Sequence, residues 1–167
     1  GSWDSDLGKT GLALHALAHG GVPAEDRTVK RGLRWLMGNL GRADTYGASL
    51  AIMALATVDP EMNRRSIERL AKLLAFGQCE NGQWSYKLKR GRSGGDNSNT
   101  QFAALALWFA EQAGAEVEPE VYERCLEFFL TTQNEDGGWG YSDRERTKSY
   151  GSMSATGLAA IVICRAG

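Results

Sequence analysis

Gln133-Asn134-Glu135-Asp136-Gly137-Gly138-Trp139-Gly140-Tyr141 has a near-copy earlier in the chain, Gln78-Cys79-Glu80-Asn81-Gly82-Gln83-Trp84-Ser85-Tyr86. Both read Gln-x-Glu-(Asn/Asp)-Gly-x-Trp-x-Tyr. Each follows a one-sided amphipathic stretch and precedes an alanine-rich apolar one. In that setting an amide can cap a helix end, glycines permit a tight turn, and an indole can stack over the helix terminus. Trp84 and Trp139 therefore read as staples between helices. A worn version, Asn39-Leu40-Gly41-Arg42-Ala43, holds the corresponding earlier place, and Trp3 reads as the tail of a further copy.

The stretches on either side of the motif also repeat. Residues 10–17, 48–55, 100–107 and 156–163 are small, apolar and alanine-rich nearly all round, which predicts helices buried on every side. These runs extend past ten residues, too long for buried strands. Between them, Val29, Leu33, Leu36 and Leu40 recur at helical spacing, as do Ile67, Leu70 and Leu74, and then Val121, Cys125, Phe128 and Phe129. Lys30, Arg34, Glu68, Lys72, Glu123 and Glu127 fill the opposite faces. The pattern predicts seven helices, alternating inner and outer. The whole chain, 1–167, reads as one repeat domain, with repeats at roughly 6–43, 44–95 and 96–151 and a terminal inner helix at 152–166. Pro23, Pro60 and Pro119, each with an acid close behind, are predicted at the first turns of the outer helices. Leu12, Leu50, Phe102 and Leu158, taken as equivalent inner positions, are 38, 52 and 56 residues apart. The helices keep their length while loops on one side grow, which marks that side as a working face.

Composition narrows the function classes. Among 167 residues, 19 are basic and 20 acidic, for a net charge of −1. A nucleic-acid binder would show a basic excess. With 43% apolar and 23% charged residues the chain is not a disordered one. No apolar run reaches the roughly 18–20 residues of a membrane span. Glycine at 21 against 3 prolines suits packed helices with glycine-rich turns. Cys79, Cys125 and Cys164 are spaced unlike any zinc site, and the last two read as buried thiols. Nothing in the sequence indicates a compartment.

The two motif copies and the inner–outer alternation resemble the QW repeats of the terpene cyclase and protein prenyltransferase superfamily, including the squalene–hopene cyclases. The resemblance covers essentially the whole chain and implies an all-α fold, an α/α toroid in which inner helices line a cavity and outer helices wrap them. Such a ring takes about twelve helices, so seven imply a partial toroid. The expectation is a fragment of a larger protein, its missing half elsewhere in the polypeptide or supplied by a second copy as a homodimer. In cyclases of this type an Asp-x-Asp-Asp-Thr motif opens one inner helix, and its middle aspartate protonates the substrate. Asp96-Asn97-Ser98-Asn99-Thr100 aligns there, with Ser98 in the acid's place and Asn99 in the next. A hydroxyl with a pKa far above ~10 is no substitute for a carboxylic acid. Asp96 remains as the candidate catalytic acid. The prenyltransferases instead hold zinc through Asp, Cys and His, but Ser98 stands where the thiolate should be. His15 and His19, spaced i, i+4, read either as a core histidine plus a helix-end one or as a chelating pair. No metal and no cofactor are expected.

Asp6, Asp44 and Asp96, with Ser152 in the fourth repeat, fall at equivalent places before the inner helices. They read as helix caps and, alternatively, as a ring around one mouth of the cavity. Asp44, Tyr46, Asp96, Asn97, Ser98, Asn99 and Trp108 are the candidate ligand-binding residues. Lys87, Lys89, Arg90 and Arg92 crowd the loop before the third inner helix. Arg144, Arg146 and Lys148, diluted by Asp143 and Glu145, precede the fourth. Basic loops beside helix N-termini suggest an anion or diphosphate site, against the alternative of solvated loop charge. The concave face, lined by Ala, Leu, Met53, Phe102 and Trp108, is expected to be apolar. The reading favours a binding module for a hydrophobic, isoprenoid-like ligand or a peptide segment. Behind it come a structural or interaction domain of a larger bacterial protein, and a divergent prenyltransferase or cyclase-like enzyme.

Overall fold

The computed structural model describes residues 1–142 and 148–167. Among them are seven α-helices: α1 (Leu7–His19), α2 (Arg27–Asn39), α3 (Thr45–Val58), α4 (Pro60–Phe76), α5 (Asn97–Gln112), α6 (Pro119–Thr131) and α7 (Gly151–Ala166). The inner layer is α1, α3, α5 and α7, each packed on the next, with α2, α4 and α6 behind. Tyr46 at the start of α3 meets Ser98 at the start of α5, and His15 near the end of α1 meets Phe109 near the end of α5. The inner helices therefore run parallel and the outer helices return between them. This is the all-α, α/α-toroid arrangement expected from the pattern.

Each layer buries what its sequence dictates. In α3 every residue from Thr45 to Leu55 except Tyr46 is buried, as an all-apolar helix requires. The outer α2 buries Val29, Gly32 and Leu36, and α6 buries Val121, Tyr122, Cys125, Phe128 and Phe129, leaving their charged faces in water. Pro60 and Pro119 open α4 and α6 as predicted. Pro23 does not open α2. That helix begins four residues later, where the Asp26 carboxylate accepts from the Thr28 and Val29 amides, and Pro23 closes the preceding turn through its carbonyl. Cys79, Cys125 and Cys164 are all buried.

The motif residues pin outer helices to inner ones. Trp84 is fully buried, its indole N–H donating to the Leu74 carbonyl in the last turn of α4 at 2.8 Å. Trp139 does the same to Phe129 of α6 at 3.0 Å. Each Trp backbone N–H also donates to a hydroxyl in the first turn of the next inner helix: Trp3 to Thr10, Trp84 to Thr100, Trp139 to Ser154. The backbone N–H that precedes each inner helix returns to the Trp carbonyl, from Asp6, Asp96 and Tyr150. Trp3 thus behaves as the tail of a motif copy. Before α3 the motif is worn, and Ala48 stands where its neighbours carry the hydroxyl.

This network corrects the register of the last inner helix. Ser154, not Thr156, is the counterpart of Thr100, and the N-cap position falls on Tyr150, with Ser152 already inside α7. The cap residue there is an aromatic with no side-chain cap bond.

Candidate functional site

The starts of the inner helices share one end of the molecule, and three aspartates cap them. Asp6 accepts from Lys9 N, Asp44 from Gly47 N at 2.8 Å and Asp96 from Asn99 N at 2.9 Å, each satisfying an amide the helix itself cannot. Asp96 is buried, and its second oxygen accepts from the Asn99 side-chain amide at 2.7 Å. Both oxygens of this carboxylate are therefore occupied as acceptors by its own helix.

The neighbouring candidates divide by role. Asn97 is buried with all its groups used: its N–H donates to Tyr141 O, its Nδ2 to Gly140 O at 2.9 Å, and its Oδ1 accepts from Gln83 at 2.9 Å. It ties both motif loops to the start of α5. Asn99 is buried too, its Oδ1 without a partner among the described residues. Ser98 faces the other way, its hydroxyl 2.5 Å from Tyr46 OH. Burial pushes the Tyr46 phenol above its ordinary range, and the Ser98 bond opposes that shift.

Around this pair lies an aromatic group. Tyr46 packs on Phe102 at 5.0 Å and on Tyr86 at 5.9 Å between ring centres, and Tyr86 OH meets Tyr141 OH at 3.2 Å. That bond raises the Tyr141 phenol. Tyr86 and Tyr141 are the closing residues of the two motif copies. Their position in the repeat was the signal that could have marked them. Further along α5, Phe109 meets His15 edge-on at 5.5 Å. Thr57 donates to Met53 O, so His15 donates Nδ1–H to Thr57 at 2.9 Å. Ser98, Phe102, Leu105 and Phe109 fall at i, i+4, i+7 and i+11 and form one strip of α5.

Other candidates sit elsewhere. Trp108 is half-buried, edge-on to Phe109. Met53 belongs to the core and not to an open face, being 6% exposed. Asp44 and Tyr46 border a cleft of about 340 Å³ with Asp6, Trp35 and Arg42, between the starts of α1 and α3. In the basic loop, Lys87 and Lys89 are exposed, Arg90 lies over the Phe76 ring at 5.9 Å, and the Arg92 carbonyl accepts from Glu80 N. The loop is folded against the end of α4, at the outer layer. Arg144 and Arg146 lie outside the described residues.

A family model, the squalene-hopene cyclase C-terminal domain, matches residues 37–151. The chain belongs to that family. The match runs from α2 to the start of α7 and takes in both motif loops and the Asp96–Thr100 turn. No curated protein matches the chain. The terpenoid cyclase fold is thus established for this squalene cyclase-like domain. Among its described residues no helix is long and apolar enough to cross a membrane.

Proposed function

We propose that this cyclase-like domain binds a hydrophobic, isoprenoid-like ligand along the inner layer without ionising it. Ser98 carries the reading. It stands where the resembling cyclases place their central acid, and its hydroxyl is held by Tyr46. A hydroxyl in that place cannot deliver a proton to an alkene. The remaining carboxylate, Asp96, has both oxygens engaged as acceptors by the Asn99 backbone and side-chain N–H groups, so it is turned to its own helix. Support for an apolar ligand comes from Phe102, Leu105 and Phe109 on one strip of α5, with Tyr46 at its head. The protein should retain squalene through gel filtration, detected by mass spectrometry of the extracted complex, and Phe102→Ala should lower the retained fraction several-fold. Failure to retain any isoprenoid would sink the reading. A cyclised product that disappears in Asp96→Asn would replace it with a divergent cyclase.

The second reading, an interaction domain, draws on Leu158 and Val162, which are 59% and 68% exposed on α7. Sedimentation at micromolar concentration tests it. Association abolished by Val162→Glu would favour a protein partner over a lipid.

A further inference from the structure

The inner layer has two ends, and the reading above rests on the end where its helices start. At the other end, His15 of α1 meets Phe109 of α5 edge-on at 5.5 Å, although α3 stands between their helices. The back of α3 is covered by α4. The two rings therefore meet over the front of α3, on the concave side. His15 is fixed from beneath. Its Nδ1–H donates to Thr57 Oγ1 at 2.9 Å, and that hydroxyl donates to Met53 O at 2.8 Å. A neutral imidazole that donates at one nitrogen accepts at the other. Nδ1 is turned to α3, so Nε2, on the opposite edge of the half-buried ring, is turned away from it. Burial, and then His19, hold the imidazole below its ordinary range, so the neutral, accepting form is the one present at pH 7.

Between the two ends the surface is apolar. Phe102 and Leu105 on α5 are half-buried, and Leu12 on α1 is exposed. From Ser98 to Phe109 the α5 strip rises about 16 Å. An extended carbon chain advances about 1.2 Å per bond, as the peptide backbone does, so about twelve bonds span most of that length. The ends differ in what they offer. At the head, the Tyr46 and Ser98 hydroxyls are bonded to each other at 2.5 Å. At the foot, a ring nitrogen is presented as an acceptor.

We propose that His15 selects the polar end of the ligand: the concave face takes a linear prenyl alcohol of about three units, its O–H donated to His15 Nε2 and its chain running along Leu105 and Phe102 toward Tyr46. This rests on the isoprenoid reading above and adds what terminates the ligand and which way it lies. The terminus follows from the acceptor. A carboxylate or phosphate would set lone pairs against the lone pair of Nε2. A bare hydrocarbon would cover the nitrogen without supplying a donor, which costs free energy. A hydroxyl supplies the donor and carries no charge into a half-buried place.

The test uses the whole chain, with farnesol and the hydrocarbon of the same skeleton lacking the hydroxyl as probes in equilibrium dialysis. Expected is about fivefold tighter binding of the alcohol, the worth of one hydrogen bond. His15→Phe keeps a ring against Phe109 but has no acceptor, and should erase that preference while still binding the hydrocarbon. Since this variant also loses the bond to Thr57, a second measurement uses the parent protein with its histidines labelled for NMR. The His15 Nε2 signal should move much further with saturating farnesol than with the hydrocarbon. Equal affinity for the two probes, a preference that survives His15→Phe, or equal Nε2 shifts would overturn the proposal and leave the isoprenoid reading standing. A preference kept in His15→Phe but lost in Ser98→Ala would also overturn it, by placing the hydroxyl at the head. If neither probe binds, both readings fall.

Discussion

Gly157 has no side chain because Trp139 already fills the space. A Cβ there would stand 2.5 Å from one ring atom and 2.6 Å from another, both belonging to a buried indole that also donates to Phe129. Gly157→Ala should therefore overpack the site and cost about 1–3 kcal/mol. Trp139→Ala should cost about 3–5 kcal/mol, the usual loss for a large buried aromatic. The two should not add, since removing the ring removes the clash. Urea midpoints of both single variants and the double variant decide the matter, and additive values would exclude the contact. A second residue-scale effect belongs to His15. Burial, and then the neighbouring His19, hold its imidazole below the ordinary range. The unfolded chain binds that proton more readily than the folded one, so stability is fully present above pH ~6.5 and falls as pH drops through that value. Asp26 and Asp136, held low by N–H and hydroxyl donors, add their own loss only in the carboxylate range nearer pH 4. Between pH 7 and 5 the urea midpoint should decline, and the slope should flatten in His15→Asn. An unchanged slope in that variant would assign the decline to other groups.

At the scale of the helix, Asp96 is first a cap. Asp96→Ala removes acceptors for the Asn99 amide and for the Asn99 side chain, both buried, and should cost about 1–2 kcal/mol. Asp96→Asn keeps one acceptor oxygen and should recover part of that loss. Equal melting of Asp96→Ala and the parent would contradict the capping role. Helix capping by Asp6, Asp44 and Asp96 was legible in the sequence because a cap is a local event, decided by residues three apart. So was the alternation of inner and outer helices, because periodicity records which face is buried. The start of α7 was not legible in the same way. Residues 156–163 match the other inner segments as a string, Thr156-Gly157-Leu158 against Thr10-Gly11-Leu12. In the fold the register is set from outside the helix, by the Trp139 N–H seeking a hydroxyl, and Ser154 supplies it. In an alanine-rich helix the apolar pattern looks much the same in either register. The candidate site was read in part for a related reason. Asn97 and Ser98 are adjacent in sequence, but a helix turns them apart, one into the motif loops and the other toward Tyr46. Nothing in the residue types announces which is which.

For the whole molecule, burial is graded along the inner layer. The α3 helix is enclosed by α1, α4 and α5, whereas α7 leaves Gly151, Ser152, Ala155, Leu158 and Val162 exposed. Amide exchange should be slowest in α3, intermediate in α5 and fastest in α1 and α7, because local opening at either end exposes less apolar surface. Uniform protection across the four inner helices would instead mean a single cooperative unit. The buried thiols carry a further consequence. The bond to Cys164, and then burial, raise the Cys125 thiol well above its ordinary range, and Cys79 is wholly enclosed at the second motif loop. A maleimide added to the folded protein therefore finds no ready nucleophile and must wait for a breach. The pair between α6 and α7 times the breathing of one end, and Cys79 times the interior. The chain thus carries its own clocks, readable by mass spectrometry without any introduced label site.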